Sequence, residues 1–299
     1  MPSAPPARAQ FAEITNSAAF GHIVLAHDAL FAARFLPNRA LDTALREAWR
    51  FQILTVAIHL HDTRDINDAR SGLTVGRLQA TLKGRSLASA GRIAAILKQL
   101  EAAGYLHGQA SSIDRRLQIL APTPILLDAI RLWEEVMFSL IDLLAPGAGL
   151  AKDARSFPAL GGLMRQHMVR ARLAGWSPLD GFPDIALFAT RDGGWRLLSR
   201  IAAMQVSGEH GPPGTPLEID LQAFARETAT SRSSLRRLLE DAFATGLMTG
   251  PPRNGRNILP SAALIEGFST WLAMFIDAHR LYALAAREEL GVTTAKRPA

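Results

Sequence analysis

A mainly α chain with small β wings, built from one unit used twice, is the fold class this sequence predicts. Three observations carry that prediction. Landmarks recur at a nearly constant offset, apolar helical stripes start at capping residues and stop at glycines, and a short hairpin follows the second long stripe of each half. The 299 residues are 48% hydrophobic and 20% charged, which is globular rather than disordered. That length suits two domains of about 150 residues.

Composition excludes several classes. There is no cysteine, so disulfides, thiolate metal sites and a cysteine nucleophile are ruled out. The longest apolar runs, residues 51–60 and 136–144, fall short of the roughly 20 residues of a bilayer span and carry His59 or Asp142. Residues 1–8 lack the apolar core of a signal peptide, so a cytoplasmic chain with no membrane partner is expected. Lys plus Arg is 33 against 27 Asp plus Glu, a net charge of +6 carried overwhelmingly by Arg. Arginine suits bidentate contacts to phosphate and guanine, although a GC-rich genome also favours it.

The repeat appears on shifting the chain. Ala19, Gly21 and His27 fall over Ala159, Gly161 and His167, and Trp49-Arg50 over Trp195-Arg196. Ser89 and Gly104 fall over Ser231 and Gly246; Pro122, Leu126 and Trp133 over Pro260, Leu264 and Trp271. The offsets drift only between 138 and 146, as loop-length differences allow. A tail over 1–14, a first lobe over 15–146, a loop-like linker over 147–154, a second lobe over 155–290 and a tail over 291–299 follow. One linker would leave each lobe with its own elements.

Within the first lobe, residues 45–60 carry a helical stripe, and Thr74 caps a short helix over 75–83. Ser86 or Ser89 caps a longer helix with Ile93, Ile96, Leu97 and Leu100 inward, which Gly104 stops. Two short strands around a polar tip at 108–114 form a hairpin, and Thr123-Pro124 opens a final helix. The second lobe repeats the plan. Asp220 caps a helix over 221–228, and Ser231 caps one with Leu235, Leu238 and Leu239 inward. Gly246 stops that helix, Asn254-Gly255 signals a two-residue turn, and Ser261 caps a helix over 262–282. This order is that of a winged helix-turn-helix, whose capped second helix suits a major groove. The alternative is a small helical domain with an incidental hairpin.

Residues 73–144 resemble the MarR family of bacterial transcriptional regulators. The resemblance rests on the segment from Ser89-Ala90-Gly91-Arg92 to Gly104-Tyr105-Leu106, and on Asp114-Arg115-Arg116 followed by 117–120 and Thr123. It implies that Asp114 and Arg116 brace the wing, that wing arginines reach a minor groove, and that two lobes pair through their outer helices. The chain is then a covalently fused pseudo-dimer. It also implies a small aromatic effector held between outer helices and winged core, for which the sequence assigns no residues.

On this reading the DNA-facing residues of the first lobe are Ser89, Arg92, Lys98, Arg115 and Arg116, with Asp114 as wing brace. Those of the second are Ser231, Arg232, Ser233, Arg236, Arg237, Arg253 and Arg256. The halves differ. The first recognition helix presents Ala90, Gly91, Ala94 and Ala95, poor in donors, whereas the second presents arginines and serines. Against DNA contact stands the reading of a solvated helix face, since Glu227, Glu240 and Asp241 lie nearby.

Other constellations carry less. His59 and His61 sit at i and i+2 and point apart on a helix, so they do not make a metal site. His27 and His167 could face one another near a pseudo-two-fold axis, though core or surface histidines are the plainer reading. Trp49, Trp133, Trp195 and Trp271 are expected to anchor the outer helices. No phosphate loop, catalytic triad or metal spacing is present, so neither an enzyme nor a cofactor is expected. Two rivals to a duplex-DNA-binding regulator stand: a plasmid replication initiator with tandem winged helices, and a protein-interaction scaffold that no longer binds DNA.

Overall fold

The computed structural model describes residues 8–15, 17–35, 47–68, 71–85, 88–111, 113–114, 116–209, 211–251 and 255–292. It is mainly helical, with two small antiparallel hairpins. A 3-10 turn Arg8–Phe11 and a short helix Ala12–Thr15 lead in. The first half continues with α1 (Ala18–Phe35), α2 (Ala48–Asp62), α3 (Val75–Leu82) and α4 (Ala90–Ala102), then β1 (Leu106–Ala110), β2 (Gln118–Pro122) and α5 (Pro124–Leu144). A joining helix α6 (Leu150–Ser156) precedes α7 (Ala159–Leu173), α8 (Pro183–Ala189), α9 (Gly194–Ser207), α10 (Leu221–Glu227) and α11 (Arg232–Ala244). Strands β3 (Met248–Thr249) and β4 (Leu259–Pro260) and the long α12 (Ala262–Glu289) complete the chain.

The repeat is physical. α4 buries Ile93, Ile96, Leu97 and Leu100, and α11 buries Leu235, Leu238, Leu239 and Ala242 at the same spacing. Both helices start at a serine whose Oγ accepts a backbone N–H, from Arg92 to Ser89 and from Ser234 to Ser231. Both stop before a glycine with positive φ, Gly104 at 76° and Gly246 at 73°, a conformation that costs glycine little. The short helix ahead is capped in each half, by Thr74 Oγ1 and by Asp220 Oδ1. Single bridges, Leu73 to Leu120 and Leu217 to Ile258, add a third short edge to each hairpin.

The two halves meet through their first helices. α1 of the first half lies along α9 of the second, while α7 of the second lies on α2 of the first. Because α1 matches α7 and α2 matches α9 in the repeat, the first helix of each half reaches across to the other while also packing on the last helix of its own, α1 on α5 and α7 on α12. α5 and α12 also pack on one another across the halves. The physical reason is burial: α1 presents Phe20, Ile23, Val24 and His27, a face that needs cover from both halves. One continuous core results, running through both halves.

Two further expectations are corrected. Residues 8–14 are not a free tail, since Phe11 is only 4% exposed and packs in the core, where its turn meets α12. The linker is not a loop: Asp142 reaches over from α5 to accept the N–H groups of Leu150 and Ala151, capping α6 where Gly149 has no side chain to do so. In the second hairpin the described pairing joins Met248 to Pro260 and Thr249 to Leu259. Asn254 lies outside the described residues; Gly255 (φ 69°) instead places its carbonyl to accept the N–H of Ile219.

Candidate nucleic-acid interface and the cavity behind it

The Ser231 cap organises the first turn of α11. Ser231 Oγ is 2.9 Å from Ser233 Oγ and 2.7 Å from Ser234 Oγ, so Ser231 and Ser233 serve the cap network as well as the surface. Arg232, Arg236 and Arg237 are exposed on the face opposite the buried leucines. Arg236 makes a surface pair with Glu240 at 3.5 Å, while Asp241 and Glu227 pair elsewhere, with Arg191 and Arg200. Such an exposed pair is worth little and yields readily to a better anion.

Arg232 and Arg256 line one groove of about 300 Å³ between the start of α11 and the second hairpin, together with Gln222. Helix and wing thus present arginines side by side. Glu218 and Asp220 share the groove, and Asp220 is held below the usual carboxylate range by the N–H groups of Ala223 and Gln222. Arg253 lies outside the described residues.

The first half presents a weaker cationic face. Ser89 is exposed and spent on its cap, and Lys98 is exposed. Arg92 lies over the Trp49 ring at 5.3 Å, a cation–π contact from α4 to α2. Asp114 Oδ1 accepts the backbone N–H of Arg116 at 3.0 Å, so the acid braces the turn through the main chain. Arg116 itself is exposed, and Arg115 lies outside the described residues.

Behind these surfaces is a partly open cavity of about 110 Å³ at the meeting of the two halves. The first half contributes His27 and Phe31 of α1, Phe51 and Gln52 of α2, and Trp133 of α5. Arg172 of α7, Trp195 and Arg196 of α9, and Trp271 and Phe275 of α12 come from the second. Three of the four tryptophans expected as anchors therefore form its walls, Trp195 and Trp271 at 4.6 Å from one another. His27 does not meet His167. It shares a 2.9 Å hydrogen bond with Ser199, whereas His167 pairs with Glu289. Burial, reinforced by the Arg196 cation, pushes His27 down to about 3.

Two groups that sequence reasoning missed decide how the halves meet. Arg165 of α7 forms an ion pair with Glu134 of α5 and reaches Asp62 of α2 at 3.2 Å. A Cβ at Gly161 would overlap the Glu134 carboxylate, so that glycine makes room for it. Burial pushes Glu134 up to about 7 against the pull of Arg165. The signal was present in the sequence, since Arg165, Met168, Val169 and Arg172 fall on one helical stripe and all four are buried.

Among the described residues no group of His, Cys, Asp and Glu could hold a metal ion, and no helix is long and apolar enough to cross a membrane. No family model, curated protein or solved structure matches the chain.

Proposed function

We propose that the chain binds duplex DNA sequence-specifically and regulates transcription as a fused, MarR-like pseudo-dimer of winged helix-turn-helix units. One observation carries this reading: Arg232 of the capped helix and Arg256 of the hairpin line the same exposed groove. A helix supplies donors to a major groove while the wing enters the neighbouring minor groove. The repeated order of short helix, capped helix and hairpin supplies a second unit, and first helices that reach across the halves hold the two together.

The two units read unequally. The second presents three exposed arginines on its helix; the first presents alanines and glycine, with Arg92 held against Trp49. The target is then an imperfect palindrome whose half-sites lie about one helical turn apart. Arg236→Ala is expected to cost about 1–3 kcal/mol of binding and to relax base preference in one half-site alone. Equal losses in both half-sites would contradict the assignment.

The direct test is a mobility-shift titration on the duplex upstream of the chain's own gene, against random competitor, at two salt concentrations. One chain per site, resistant to competitor, with log affinity falling by about 0.9 per phosphate contact per decade of salt, supports the reading. The absence of binding at low salt would favour an interaction scaffold instead. The donor-poor face of the first unit is the feature that fits a scaffold.

A further inference from the structure

A groove of about 660 Å³ runs beside the joining helix. It shares no lining residue with the tryptophan-walled cavity or with the groove of Arg232 and Arg256. Its walls are the end of α1, the middle of α5, α6 and the start of α7. On α5, Arg131, Glu134 and Phe138 follow one another at the three- and four-residue steps that place side chains on one helix face. Leu30 of α1 and Ala151 and Ala154 of α6 supply apolar wall, half-buried against the core.

Charge stands at two depths in this groove. At its floor Glu134 is 6% exposed, and its Oε1 takes the ion pair from Arg165. Its Oε2 lies where a Cβ of residue 161 would stand, and among the described residues it accepts no hydrogen bond. Arg165 also serves Asp62, so the three groups together carry one negative charge more than positive. Burial holds Glu134 up to about 7, as for a carboxylate short of donors. At the rim, Arg34 in the last turn of α1 and Arg155 in the last turn of α6 are exposed and form no ion pair with a described residue. Arg131 has only an exposed pair with Asp128, and Glu135 is exposed.

We propose that this groove binds one short apolar peptide with free termini per chain, its ammonium on Glu134 Oε2 and its carboxylate on Arg34 and Arg155. An ammonium brings both the positive charge and the donors that the idle carboxylate oxygen lacks. A guanidinium fork matches a carboxylate bidentately. A simple anion would meet Glu134 as a like charge and a simple cation would meet the arginines, so the pattern selects a zwitterion. The volume falls well inside the roughly 300–1,000 Å³ of small-molecule sites, which leaves room for more than one apolar side chain against Leu30, Ala151 and Ala154. The joining helix occurs once, so the groove has no copy in the repeat and the ligand count is one. Nothing in this assignment depends on DNA binding.

The test is calorimetric titration of the full chain at pH 7.5 with leucyl-leucine, N-acetyl-leucyl-leucine, leucyl-leucinamide and leucine. One leucyl-leucine per chain is expected, with each capped form at least about tenfold weaker because it lacks one charged partner. Leucine, with one side chain to bury, should also be weaker by about tenfold. The double variant Arg34→Ala, Arg155→Ala changes only exposed side chains, so its fold should persist. It should bind leucyl-leucine at least about tenfold more weakly and no longer prefer it to the amide. Glu134→Gln should abolish the preference for leucyl-leucine over its N-acetyl form; the wild-type comparisons and the rim variant stand without it. No leucyl-leucine binding at millimolar concentration, equal affinity for free and capped forms, leucine as tight as the dipeptide, two ligands per chain, or undiminished binding by the rim variant would each overturn the site.

Discussion

Replacing Arg165 with methionine is expected to remove about 3–5 kcal/mol of unfolding free energy at pH 8, measured by urea denaturation. Arg165 stands between Glu134 and Asp62, joining α7 of the second half to α5 and α2 of the first. Both Arg165 and Glu134 are less than a tenth exposed. Without the guanidinium, Glu134 is a buried carboxylate that has lost its ion-pair partner, with only the more distant Arg131 cation acting on it. The deficit should depend on pH in a defined direction. Burial already raises Glu134 from 4.5 to about 7, and loss of Arg165 removes the cation that opposes the rise. A raised folded-state value adds stability that is complete below the unfolded value and fades as pH climbs through the folded one. The variant should therefore be closer to wild type at pH 5 than at pH 8. Adding Glu134→Gln should recover much of the loss, because the pair acts as a unit. A deficit independent of pH, or a double variant no better than the single, would contradict this account.

Acid should weaken the fold through two buried imidazoles. His27 and His279 are both held near 3 by burial. Ser199 satisfies His27, and His279 donates from Nδ1 to the Phe275 carbonyl at 2.7 Å. In the unfolded chain each takes a proton below its ordinary 6.5, while the folded state refuses one until about 3. The unfolded state thus binds more protons across that window, and stability falls as pH falls through it. At 1.36 kcal/mol per unit, acidification from pH 7.5 to 5 costs roughly 2 kcal/mol per histidine and roughly 4 for both. Glu134 works in the opposite sense between 4.5 and about 7, so the measurement is cleanest in a Glu134→Gln background. Urea titrations across this range should show a shallower slope in His279→Gln. An unchanged slope would place the acid sensitivity elsewhere.

Local chemistry alone placed much of this molecule. Caps at Thr74, Ser89, Asp220, Ser231 and Ser261, stops at Gly104 and Gly246, and the apolar stripes of α4 and α11 were all legible, because each depends on a few neighbouring residues. The exposed arginines of α11 were legible for the same reason: they occupy the face opposite its leucines. The joining helix was missed because its cap comes from Asp142, on a different helix.

By itself the sequence determined a duplicated unit, the identity and polarity of its capped helices, and a cationic surface on the second copy. Only the tertiary structure decided that the first helix of each copy reaches across to the other, that Arg165 is shared by two carboxylates, and that Arg172 is buried among aromatic rings. The physical reason is range. Caps, glycine stops and helical periodicity act within a few residues along the chain. Burial and ion pairing depend on which surfaces meet, and here those surfaces are contributed by halves more than a hundred residues apart.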